Sequence, residues 1–164
     1  MFYDIVLAER SNELKEFAKK LGFSNIYYQN EFSKLGIVFA SSDYSENRKL
    51  VESGKIKILV NPHVNTHKDS LHFRAGGLDH ILTRLCKEKN VAIGFSLSTL
   101  DNSLMIGRIR QNIQLCRKYK VKMLFFSFAS NQFELRSAND ILSLLRILGM
   151  TGKEAKDALN FTTL

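Results

Sequence analysis

Proline occurs once in the 164 residues, at Pro62, and no stretch is of low complexity. With no proline-rich spacer and no polar repeat nothing marks a linker, so residues 1–164 read as a single domain. A chain of this length buries a substantial core without metal or disulfide support. Cysteine is nearly as scarce, with only Cys86 and Cys116. Both fall on the expected apolar faces of helices and read as small buried hydrophobes. This cysteine usage, with no leader segment legible at the start of the chain, leads to the expectation of a reducing, cytoplasmic setting. No apolar run approaches the roughly 20 residues that cross a bilayer, so no membrane contact is expected. A nucleophilic constellation is missing too, since neither Ser127 nor Ser130 has a histidine nearby in sequence.

Acidic residues are the minority. Twenty-four lysines and arginines face 16 aspartates and glutamates, a formal net charge of +8. Such a surplus favours an anionic partner, because lysine and arginine neutralise phosphates and release their counterions. It is also concentrated. Between Asp101 and Lys122 the basic residues Arg108, Arg110, Arg117, Lys118, Lys120 and Lys122 meet one acid, Asp101.

Apolar runs alternate with amphipathic ones along the chain. Strands are expected within Met1–Ala8 and at Ile26–Tyr28, Ile37–Ala40, Ile56–Val60, Val91–Ser96 and Met123–Phe126, with a doubtful closing strand at Phe161–Leu164. Ser11 or Asn12, Asp43 with Glu46, and Thr151 with Glu154 mark helix starts. A long helix is expected from about Asn102 to Tyr119, its apolar stripe made of Met105, Ile106, Ile109, Ile113 and Cys116. Alternating strands and helices imply an α/β fold with a parallel sheet and right-handed crossovers. Six or seven strands fall short of the eight that close a full barrel.

The centre of the pattern is His72-Phe73-Arg74-Ala75-Gly76-Gly77-Leu78-Asp79-His80. Paired glycines allow a close approach by chain or phosphate. A helix should follow, with Leu78, Ile81, Leu82, Leu85 and Cys86 on one face. Phe73–Leu82 followed by Asn90-Val91-Ala92-Ile93 and Phe95-Ser96 resembles the signature of protein component 3 of archaeal ribonuclease P, related to the thirty-kilodalton protein of the eukaryotic enzyme. The likeness continues in order through Arg110-Gln111-Asn112, Leu115–Val121, Ser127–Ser130, Glu134–Ser137 and Leu148-Gly149-Met150. The resemblance implies a TIM-barrel-like β/α fold related to the polymerase and histidinol phosphatase (PHP) hydrolases. This chain is short for that fold, so a trimmed or imperfect barrel is expected, with losses between Gln29 and Asn61.

The resemblance further implies a subunit that supports a catalytic RNA in removing the 5′ leader of precursor tRNA. The RNA would hold the magnesium ions and do the chemistry, and this chain would bind no cofactor. Partners implied are the ribonuclease P RNA, protein component 2 and the other ribonuclease P proteins, with precursor tRNA contacted indirectly. Candidate RNA-binding residues are Arg74, Arg110, Arg117, Lys118 and Arg136. Arg110, Gln114, Arg117 and Lys118 flank the apolar stripe of the long helix, with no acidic residue within a turn. Gly76 and Gly77, ahead of a helix, are either a phosphate-contacting turn or a tight connection. The rival reading is a metal-dependent phosphoesterase of the PHP-related superfamily using His63, His67, Asp69 and His72, since imidazole and carboxylate suit zinc or iron. Against it, the related hydrolases open with an aspartate and paired histidines on the first strand, where this chain has Asp4 and no histidine. A third reading is a small-molecule barrel enzyme with Gly76-Gly77 as its phosphate cradle.

Overall fold

The computed structural model describes residues 1–160; the expected closing strand at 161–164 lies outside them. Six short strands alternate with helices. They are β1 (Tyr3–Val6), β2 (Asn25–Tyr28), β3 (Ile37–Phe39), β4 (Ile58–Val60), β5 (Ala92–Ser96) and β6 (Met123–Phe126). The helices are α1 (Asn12–Lys20), α2 (Phe32–Leu35), α3 (Tyr44–Glu52), α4 (His80–Glu88), α5 (Ser103–Tyr119), α6 (Ala138–Ile147) and α7 (Gly152–Ala158).

All pairings are parallel: β1 with β2, and β3-β4-β5-β6 in order. The two sheets join just beyond β6. Phe128 N–H donates to the Ile5 carbonyl at 2.9 Å, Leu7 N–H donates to Ala129 at 2.9 Å, and the Asp4 carboxylate accepts from Ser127 N–H at 2.7 Å. The spatial order is therefore β2-β1-β6-β5-β4-β3, the cyclic order of a β/α barrel, open between β2 and β3 among the described residues. The expected fold class holds, an α/β barrel-like fold that does not close among the described residues. At the opening, a 3-10 turn (Gln29–Glu31) and the single turn of α2 lead from β2 to β3, and Phe32 and Leu35 pack on the interior cluster.

Strand alternation divides the core in two. Ile5, Ile58, Val60, Ala92, Leu124 and Phe126 face inward, while Val6, Leu59, Ile93, Met123 and Phe125 face the helices. The helix caps use the expected chemistry. Ser11 accepts from Leu14 N–H, and Thr151 and Glu154 form a reciprocal capping box. The central helix begins later than the glycine pair suggested: Leu78 is buried ahead of it, Asp79 caps it and Ile81 is half-exposed.

Candidate nucleic-acid interface

The 17-residue helix α5 carries the site, and its buried face departs from the apolar stripe. Ile109, Ile113 and Cys116 are buried as expected, but Ile106 is exposed, and Arg108 and Asn112 are buried instead. The reason is the connection from β4 to α4, residues 61–79, which lies across that side of α5 and offers it carbonyl groups.

Arg108 is 1% exposed and holds this connection in place. Its Nε donates to Asp69 Oδ1 at 2.8 Å, Nη1 to the carbonyls of His63 (3.1 Å) and Asn65 (3.4 Å), and Nη2 to the carbonyl of His67. Burial alone would raise the pKa of Asp69, but the Ala75 amide and Arg108 hold it below the ordinary carboxylate value. One turn on, Asn112 donates to the Gly76 carbonyl at 2.7 Å, and Gln111 donates to the Arg74 carbonyl at 3.1 Å. A carboxylate and five backbone carbonyls are thus bound to three polar side chains of one helix, which makes the loop a rigid platform.

The glycine pair serves that docking. A Cβ at Gly76 would meet Asn112 Oδ1 at 2.6 Å, and one at Gly77, where φ is +74°, would meet the Pro62 carbonyl oxygen at 1.7 Å. The Gly76 amide already donates to the Arg74 carbonyl at 2.8 Å. Tight packing accounts for both glycines.

Arg74 leaves this platform over α5. Its guanidinium lies against Gly107, where a Cβ would come within 1.9 Å of Nη1. With Ser103, Ile106, Arg110, Gln111 and Gln114 it lines an open groove of about 430 Å³. Gly107, Arg110 and Gln114 are one helical turn apart, so Arg74 extends the basic strip of α5 from outside the helix. Among the described residues neither Arg74 nor Arg110 forms an ion pair within 4.0 Å, though the charge of Arg74 helps to lower the pKa of Asp69.

The other candidates are placed differently. Arg117, lower on the same face, is matched in space by an acid the local sequence did not reveal. It donates from Nε and Nη2 to the Glu154 carboxylate at 2.8 and 2.6 Å, and from Nη2 to the Gly149 carbonyl at 2.7 Å. Arg117 in turn holds the Glu154 carboxyl down at about 2. Lys118 is exposed, with its ammonium 5.6 Å from the Tyr119 ring centre. Arg136 is exposed and turned back on the carbonyls of Phe133 and Leu135, in a segment tied to α1 through Ala138 N–H and Leu21.

The four residues of the metal alternative do not converge. His63 is fully buried, its Nε2 2.9 Å from Thr99 Oγ1, which also lies 2.9 Å from the Ser96 carbonyl. Burial, then the nearby Arg108, lower its pKa to about 4 and keep it neutral. Asp69 is committed to Arg108, while His67 and His72 are exposed. Among the described residues no three His, Cys, Asp or Glu side chains gather as metal ligands. Barrel enzymes hold their substrates at the C-terminal ends of the strands. Here rings gather at those ends of β3 and β6: Phe128 lies 5.1 Å from Phe39, 5.8 Å from Phe32 and 5.5 Å from Phe126, centre to centre.

Residues 45–163 match the family described as RNase P subunit p30. The chain belongs to that family. Among its relatives, ribonuclease P protein component 3 of Methanococcoides burtonii is 34% identical over 143 residues, covering 84% of this chain and 55% of that one. The Thermococcus kodakarensis protein of the same name is 36% identical over 125 residues, covering 73% and 53%. The chain thus spans about half the length of these p30-family relatives. A chain in a cryo-EM structure of archaeal ribonuclease P with mature tRNA shares the fold, with a TM-score of 0.63 at 22% identity over 95% of this chain and 63% of that one. Sequence reasoning found the p30 signature and Glu154 as a capping residue, but missed the docking role of Arg108 and the pairing of Glu154 with Arg117, since those partners lie far away in the chain. No described helix is long and apolar enough to cross a membrane.

Proposed function

We propose that this chain is a noncatalytic protein subunit of ribonuclease P. It supports the catalytic RNA in endonucleolytic removal of the 5′ leader from precursor tRNA. The observation that carries the reading is the placing of Arg74 and Arg110, two guanidinium groups with no ion pair among the described residues, along one groove on a frame made rigid by Arg108. Cations that line one groove repel each other unless an anion lies between them, and guanidinium is suited to two-pronged contact with phosphate. Such contacts position an RNA without reading its sequence.

In this reading Arg117, Lys118 and Arg136 add to the positive field at the edges of the interface. Arg117 does so with its charge largely answered by Glu154, so its contribution to RNA binding is smaller than that of Arg74 or Arg110. The magnesium ions belong to the RNA, and this chain holds no cofactor. Membership of the p30 family supports pairing with protein component 2 and assembly with the other ribonuclease P proteins in the cytoplasm, with precursor tRNA touched only indirectly. Reconstitution tests the proposal. Adding this chain and protein component 2 to the ribonuclease P RNA should raise cleavage of precursor tRNA at moderate magnesium concentration. No stimulation, with both proteins folded, would refute it.

A further inference from the structure

The segment that delivers Arg74 has two sides. Arg74 lies over α5, whereas Phe73 and Ala75 line a separate cleft of about 480 Å³ on the far side of the same backbone. Pro62 and Leu78 also line this cleft, Tyr44 walls it, and His67 and Lys68 share its lining with Phe73. Tyr44 is fixed by donating to Asp79 Oδ1 at 2.9 Å, and that oxygen also caps α4. The volume is in the range of pockets that hold small organic groups, about 300–1,000 Å³.

Phe73 is 58% exposed, so the core does not account for it. An aromatic ring on the same lining as a lysine, and next in sequence to an arginine with no ion pair among the described residues, combines a stacking surface with phosphate-binding cations. An apolar peptide side chain would need the cleft but not the cations. The one acid on the lining, Asp79, already accepts from Tyr44 and from Leu82 N–H.

We propose that the cleft receives an unstacked nucleobase of the bound RNA, its face against Phe73. The flanking phosphates reach Lys68 on one side of the loop and Arg74 on the other. This rests on the reading of the α5 strip as an RNA interface and adds the requirement that the strand be locally single.

The test uses the full chain and an RNA of about ten nucleotides, within the site size of single-strand binders, carrying one fluorescent purine analogue. Binding should quench the analogue, and the same sequence in a duplex should bind without quenching. Phe73→Ala should abolish the quenching and weaken single-strand binding between about five-fold and a hundred-fold, the range for losing one base–aromatic stack. Its salt dependence should match that of the parent. Phe73→Leu, which keeps apolar bulk without the ring, should fail likewise. Single-strand binding with no quenching, or with Phe73→Ala equal to the parent, would overturn the nucleobase cleft and leave the arginine interface standing. Loss of affinity for protein component 2 alone in Phe73→Ala would reassign the cleft to a protein side chain. No binding of any RNA would refute both readings together.

Discussion

Taking a guanidinium out of water costs several kcal/mol unless its donors are met, and Arg108 is met by one carboxylate and three carbonyls. Lysine cannot copy that fork, because it offers a single charged nitrogen. Arg108→Lys should therefore lower unfolding stability by about 3 kcal/mol in a urea titration. A loss under about 1 kcal/mol, the scale of a surface pair, would mean that the loop is held by something else. A second expectation concerns pH. His63 is depressed to about 4 from 6.5, so acid favours the unfolded chain as pH falls through that window; Asp4, buried with one oxygen unpartnered, is raised by burial to about 6 from 3.8, which favours the folded chain over nearly the same window. The two slopes, each about 1.4 kcal/mol per pH unit, oppose one another. Asp4→Asn should remove one of them, so that stability falls as pH drops from 6 to 4 more steeply than in the parent; parallel curves would contradict the assignment. Neither group is legible as a pair in the sequence. Asp4 stands out only as the acid of a strand without histidines, and His63 only as a possible ligand. Arg108 is hidden because its acceptors lie 39 to 45 residues earlier and most are backbone carbonyls, which carry no residue signature.

Helix α5 is legible nearly to its ends: Asn102, where it is expected to begin, is its N-cap, and Tyr119 is its last residue. The stripe of Ile109, Ile113 and Cys116 is also legible, because apolar periodicity reports burial against apolar neighbours. Burial against a polar loop does not follow that rule, and for this reason Arg108 and Asn112 replace Ile106 on the inner side. The same helix allows its structural and binding roles to be separated. Alanine is better than glycine in a helix interior by about 1 kcal/mol, so Gly107→Ala should hold or raise the melting temperature. The added Cβ would push the Arg74 guanidinium off the groove, since the atom it meets is the flexible end of that side chain. RNA affinity should drop several-fold while stability does not. Unchanged affinity would remove Arg74 from the interface. Arg117 shows the opposite limit of helix reasoning: no acid lies within a turn, yet Glu154 approaches from α7 at 2.6 Å.

At the scale of the molecule the strand count and the parallel, barrel-like order are legible, and so is the expectation of an incomplete barrel. The position of the opening follows from the short passage between Tyr28 and Ile37, where one turn of helix stands at the gap and Phe32 and Leu35 pack into it. The gathering of rings at the strand ends is not foreseeable in the same way. Phe39 and Phe128 read as ordinary apolar residues until β3 and the segment after β6 bring them within 5.1 Å. A barrel that gathers rings at the ends of β3 and β6, and whose arginines without an ion pair among the described residues lie on a helix and the loop packed against it, is built to present charge. The most direct test is the salt dependence of binding to the ribonuclease P RNA, compared between the parent and the Arg74→Ala/Arg110→Ala double variant. Removing one arginine–phosphate pair should lower the slope of log affinity against log salt by about 1, so the double variant should bind more weakly with a slope smaller by about 2. An unchanged slope would contradict the account.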